Sequence, residues 1–334
     1  AVRGGTAIFD GGLHYVTGGS DGAGETAVAG SFANSSRLEI KGGAKLSFTY
    51  NPTYVANSGC DIVISDGTFD CLNVVNEFLN GFADNNGTDQ ARTAKITIGE
   101  KGTMMARTLR IAQGKNNLAF WTSDYGVVNV RQGGLLKVRD LVVDGNYAPT
   151  AAMNFDGGTL EFFNMPGDSE NPRNRFGDET GKGWGNVTLS ILAGGLTINS
   201  NTDKNSTLYR SFRSGSANDG GLTIKGQSTV FLLGDNTYKG GTHLQGSVWL
   251  AIRKDGNLGA VPSAPRDDFF YESSAACLHF DKSATLDHNR GIFISSNVEM
   301  RVGAQANQTA TIQGTVSGDG PGTCLKAVDN WIGV

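Results

Sequence analysis

Apolar and polar residues alternate with period two in short runs along most of this chain. The clearest early runs are Leu38–Ile40, Leu46–Tyr50, Ile62–Ile64, Cys71–Val75 and Ile96–Ile98. Leu109–Ile111, Val127–Val130, Leu136–Val138, Leu141–Val143, Met153–Phe155 and Thr159–Phe162 continue the series. Period-two alternation predicts strands with one buried face. Between the runs lie glycine corners such as Gly42-Gly43, Asp66-Gly67, Gly133-Gly134 and Gly157-Gly158. Glycine supplies the positive φ that such corners require. No stretch of ten or more residues carries a helical period. The grammar of strand, glycine turn and strand recurs at intervals of roughly 20–35 residues, the spacing of β-solenoid coils. The expectation is an all-β, right-handed parallel β-helix with projecting loops, a single elongated solenoid over 1–334. Residues 1–36 form an irregular N-terminal or capping segment. Polar stretches at 76–92, 164–185 and 199–220 interrupt the pattern and are the candidate projecting loops.

Composition agrees with a narrow solenoid. The 334 residues include 48 glycines, and hydrophobic residues make up 38%, low for a compact globule but enough to fill thin stacked coils. The formal net charge of −4 and the absence of a basic stripe argue against nucleic-acid binding. No apolar run approaches the ~20 residues of a membrane-spanning helix. The opening Ala1-Val2-Arg3-Gly4 has no signal-peptide character, so an export signal is expected to be absent or already removed.

The stretch from Gly220 to Leu250 reads GGLTIKGQSTVFLLGDNTYKGGTHLQGSVWL. It resembles the autotransporter-associated β-strand repeat in the order of its glycines, its Asn236-Thr237-Tyr238 triplet and its Gly240-Gly241-Thr242 triplet. The later pieces Gly256–Ala260 (GNLGA), Asn289–Ile294 (NRGIFI) and Ile312–Gly322 (IQGTVSGDGPG) are similar to the family's usual sequel. The resemblance covers about 220–323. It implies a rung of a right-handed parallel β-helix in a secreted or bacterial cell-surface protein, and it implies no chemistry.

Candidate chemistry is sparse. The histidines are His14, His243, His279 and His288, with no spacing that fits a metal site, so neither metal nor other cofactor is expected. Asp61, Asp66, Asp70, Asp140, Asp144 and Asp156 are the acids a polysaccharide lyase or hydrolase would draw on. Asp66, Asp144 and Asp156 each precede a glycine, which is turn chemistry. Lys137, Arg139 and Arg131 are the cations that one strand face could present to an acidic sugar. Trp121, Tyr125, Trp184 and Tyr209 fall in loops or corners and could stack on glycans; the alternative is that they cover coil corners. Four cysteines, Cys60, Cys71, Cys277 and Cys324, pair by position into two candidate disulfides, Cys60–Cys71 and Cys277–Cys324; buried thiols are the alternative.

The reading from sequence is a non-enzymatic, extracellular or cell-surface solenoid. It would act as a structural or adhesive rod that joins head to tail into fibres. Its partners would be copies of itself, or host or cell-surface glycans or proteins. The alternatives are a carbohydrate-active β-helix and a glycan-binding module.

Overall fold

The computed structural model describes residues 5–16, 36–48, 60–72, 78–80, 93–111, 125–143, 150–165, 173–177, 186–202 and 204–328. The chain divides into two compact units, one of Ala1–Leu160 with Gly177–Leu189 and one of Glu161–Phe176 with Ser190–Val334.

In the first unit, alternate strands feed two sheets. Gly5–Asp10, Ser36–Lys41, Cys60–Ile64, Thr93–Ile98, Tyr125–Arg131 and Thr150–Asp156 are neighbours in one sheet. Leu13–Val16, Ala44–Phe48, Gly67–Cys71, Thr103–Ile111 and Leu135–Val143 are neighbours in the other. Each strand pairs in parallel with its counterpart one coil away, as in Leu38 beside Ile62 and Ile62 beside Ile96. The alternation decides which side chains go in. Leu38, Ile40, Ile62, Ile64, Ile96 and Ile98 are fully buried, and the residues between them are half-exposed. This is a parallel β-helix core, in which identical positions stack coil upon coil. On the outside, charges alternate in sign up the ladder: Arg37 pairs with Asp61, and Lys95 approaches the same carboxylate at 3.7 Å. Opposite charges on adjacent rungs favour this register over a slipped one.

The second unit repeats the plan. One sheet runs through Leu196–Ser200, Leu222–Gly226, Thr242–Leu244, Arg266–Tyr271, Arg290–Ile294 and Val316–Gly318. The other has seven strands: Arg173–Phe176, Ser206–Leu208, Thr229–Leu232, Trp249–Ile252, Cys277–Phe280, Glu299–Ala304 and Cys324–Val328. The short strands Ala284–Leu286 and Ala310–Ile312 pair with each other. Glycine is required at the corner that opens Leu222–Gly226. Gly221 has φ +72°, and a β-carbon there would collide with the carbonyl oxygen of Gly241. That carbonyl accepts the Leu222 N–H at 3.0 Å, so the corner and the next coil share one hydrogen bond.

Most strands fall where the alternation placed them, and three features do not. The strand Thr242–Leu244 begins on the last residue of the Gly240-Gly241-Thr242 triplet, where no alternating run announces it. The stretch 199–220, read as a polar insertion, holds Ser206–Leu208 and Phe212–Ser214. Ser206 and Thr207 are buried there, so a run that looks solvated faces the interior of the fold. Arg173–Phe176 lies within the other insertion for the same unit. Strands of three or four residues are too short to display a period. Of the candidate loop at 76–92, only Phe78–Asn80 is described, as a strand beside Thr103–Ile111. The remainder of that loop lies outside the described residues.

Neither expected disulfide is formed in this structure, and all four cysteines are free. Cys277 and Cys324 sit on strands separated by Glu299–Ala304. Two strand spacings amount to about 9.5 Å, beyond the ~7 Å between Cα atoms that a disulfide spans. Cys60 and Cys71 lie at the far ends of two strands that a short turn directs into different sheets, and each packs inward.

Candidate functional site

The polar residues that carry the repeat resemblance converge on one corner of the second unit. Asn236 accepts the Phe212 N–H at 2.8 Å and donates to the Asn257 carbonyl at 2.5 Å. Asn257 accepts from the Arg253 and Lys254 amides at 2.9 and 3.0 Å and donates to the Gly234 carbonyl at 2.9 Å. The Tyr238 hydroxyl lies 2.8 Å from the Thr242 hydroxyl, which reaches the Leu258 carbonyl at 3.0 Å. Asp219 takes N–H donors from Lys239, Gly240 and Gly221 at 2.8–3.1 Å. Each contact joins one coil to the next or closes a turn.

Arg290 is the centre of this corner, and none of its side chain reaches solvent. Nε donates to Asp255 Oδ1 at 2.8 Å, and Nη2 contacts Asp255 Oδ2 at 3.4 Å and the Gly259 carbonyl at 3.0 Å. Nη1 donates to the Leu258 carbonyl at 3.1 Å and to Asp268 Oδ2. A guanidinium has five N–H donors, and these contacts account for all of them. Asp268 is 2% exposed, and burial raises its pKa against the opposing pull of Arg290 and Arg266. Burial likewise raises the Tyr238 phenol well above its ordinary value. The contacts of this constellation run between its own members and the neighbouring backbone, and the guanidinium has no donor to spare.

Outside this corner lies a cleft of about 680 Å³, lined by the turns at 217–219 and 239–240 and by the loop from Ala260 to Arg266. Lys239 and Arg266 bring positive charge to it, while Asp219 is already saturated by backbone amides. A second depression of about 490 Å³ is apolar, lined by Val302, Ala304, Ala310, Ile312, Leu325 and neighbours. On the outer face of the sheet, His243 Nδ1 lies 2.6 Å from Glu272, and its ring stacks on Phe270 with centroids 4.4 Å apart. Gln245 donates to the other Glu272 oxygen. Among the described residues, no group of three or more His, Cys, Asp or Glu side chains could hold a metal ion.

The residues singled out from sequence scatter. Trp121, Trp184 and Asp144 lie outside the described residues. Tyr125 begins the strand Tyr125–Arg131. Tyr209 follows Ser206–Leu208, half-buried, with its amide donating to the Phe176 carbonyl. Asp61 and Asp70 prove to be ladder ion-pair members: Asp61 meets Arg37, and Asp70 meets Lys45 at 2.9 Å. Asp140 holds Arg139 at 2.6 Å. Lys137 and Arg139 share the strand Leu135–Val143, whereas Arg131 belongs to a strand of the other sheet, so the three do not line one face. Sequence reasoning missed Arg290 as a centre. Its only signal was its place in NRGIFI, since its partners are 22 to 35 residues away. No protein-family model, curated protein or solved structure matches the chain.

Proposed function

We propose that this chain is a non-enzymatic, exported β-solenoid of the autotransporter-associated repeat kind, a structural or adhesive rod at or beyond a bacterial cell surface. One observation supports this above others: the residues that carry the resemblance, from Asn236 to Arg290, are consumed in holding coil to coil. Their chemistry is architectural. Partners would meet the outer faces and loops, as glycans, proteins or further copies. Light scattering across a concentration series tests assembly, and a monodisperse monomer at the highest concentration would remove that part of the proposal.

The competing reading, a carbohydrate-active or glycan-binding β-helix, has the cleft flanked by Lys239 and Arg266 in its favour. A panel of acidic and neutral glycans separates the two. Turnover of any of them refutes the non-enzymatic reading, and binding without turnover makes the chain an adhesive module.

A further inference from the structure

We propose that the buried imidazole of His279, with Trp249 against it, is an acid-sensitive latch that loosens the seven-stranded sheet when the ring takes a proton. His279 sits mid-strand in Cys277–Phe280 and is 1% exposed. Neither ring nitrogen has a hydrogen-bond partner among the described residues. Its cross-strand neighbours are Ala251 on one side and Gly303 on the other. These are the smallest residues available, and they leave room for the ring to lie against the sheet. A β-carbon at position 303 would come within 3.3 Å of His279 Nδ1. The Trp249 indole lies with its centroid 6.3 Å from that of His279, tilted by 33°. Leu278 and Phe280 point to the opposite, inner side, so the imidazole is a polar group placed under cover where the alternation calls for an outward residue.

An imidazole without partners is tolerated only when neutral, because a buried charge needs a counter-charge or water. The charged groups around it supply too little of one, because they are paired among themselves. On its own strand and just beyond are Cys277 and Asp281. Asp281 is already bound to Arg253 at 2.7 Å, from the end of the preceding strand. The following strand brings Glu299 and Arg301, paired with each other at 3.1 Å, and Lys326 lies 3.7 Å from Glu299. Gln305 comes near enough to favour the protonated ring without meeting hydrogen-bond geometry. Burial is the larger influence and holds the His279 pKa below its ordinary value, against Asp281 and Gln305. An unfolded histidine takes its proton at about pH 6.5. Below that pH the opened sheet binds more protons than the closed one, so stability falls with falling pH until the buried ring titrates as well.

The test follows tryptophan emission and amide exchange of the intact chain between about pH 7 and about pH 5, the range in which histidine changes charge. The wild-type chain is expected to lose Trp249 emission and exchange protection over Cys277–Phe280 and Glu299–Ala304 on acidification. His279→Leu is expected to keep both, and Trp249→Phe to remove the emission change alone. An unchanged wild-type chain, or a His279→Leu chain with the same acid response, overturns the proposal. Should His279→Leu fail to fold, the wild-type imidazole is followed by NMR. A ring that titrates at or above the ordinary histidine value also overturns it, whereas one that stays neutral until the strand opens supports it.

Discussion

Replacing Arg290 with alanine removes the one cation at the centre of the corner. Asp268, 2% exposed, then keeps only Arg266, which is itself half in solvent and contacts it at 2.8 Å. Asp255 loses both its contacts with the guanidinium, the Gly259 carbonyl loses its donor, and the Leu258 carbonyl keeps only the Thr242 hydroxyl. Breaking a buried ion pair from one side costs about 3–5 kcal/mol. The Gly259 carbonyl adds up to about 1–3 kcal/mol if water does not reach it. We expect a total near 4 kcal/mol, close to three powers of ten in a local opening constant. Solenoid stability is carried by nearest-neighbour contacts. The loss should therefore concentrate at Arg290–Ile294, Asp255–Leu258 and Arg266–Tyr271, and native-state amide exchange is the assay. The pH dependence separates charge from packing. Asp268 has a raised pKa by burial, and losing Arg290 raises it further. A carboxyl with a raised folded pKa stabilises the protonated side and costs stability as pH rises through that pKa. Part of the Arg290→Ala defect should therefore be recovered on acidification, and Asp268→Asn added to Arg290→Ala should recover part of it at neutral pH. A defect under about 1 kcal/mol, or one indifferent to both pH and Asp268→Asn, would refute the argument, because it would mean that water replaces the guanidinium.

Gly221→Ala should destabilise by about 1–3 kcal/mol, since it combines a positive φ with a collision against Gly241; equal thermal midpoints for the variant and the parent would count against it. Leu278→Ala, at a fully buried position of the seven-stranded sheet, should cost about 2–5 kcal/mol in denaturant titration. Cys324 should react with a thiol reagent at neutral pH while Cys71 and Cys277 do not, because burial pushes Cys71 well up and Cys277 to about 12. Mass mapping of labelled peptides checks this, and labelling of all three at one rate would contradict the buried placement.

Sequence alone determined the class of secondary structure, the buried face of the longer alternating strands and the position of most corners. Those properties are local. A period of two fixes a face, and a glycine permits a turn regardless of what lies beside it. The inward column of Leu38, Ile62 and Ile96 could be read directly from this rule. The tertiary structure decided what depends on coil length and register. It separated Cys277 from Cys324 by a strand, turned Asp61 and Asp70 from candidate acids into rungs of a charge ladder, and buried Ser206 and Thr207. It brought Asp255, Asp268 and Arg290 from three coils into one ion cluster and placed a histidine under cover on an outward position. None of these has a local signature, because each is set by which residue of the next coil comes to lie one strand spacing away. That depends on the number of residues each intervening turn consumes, which alternation does not encode.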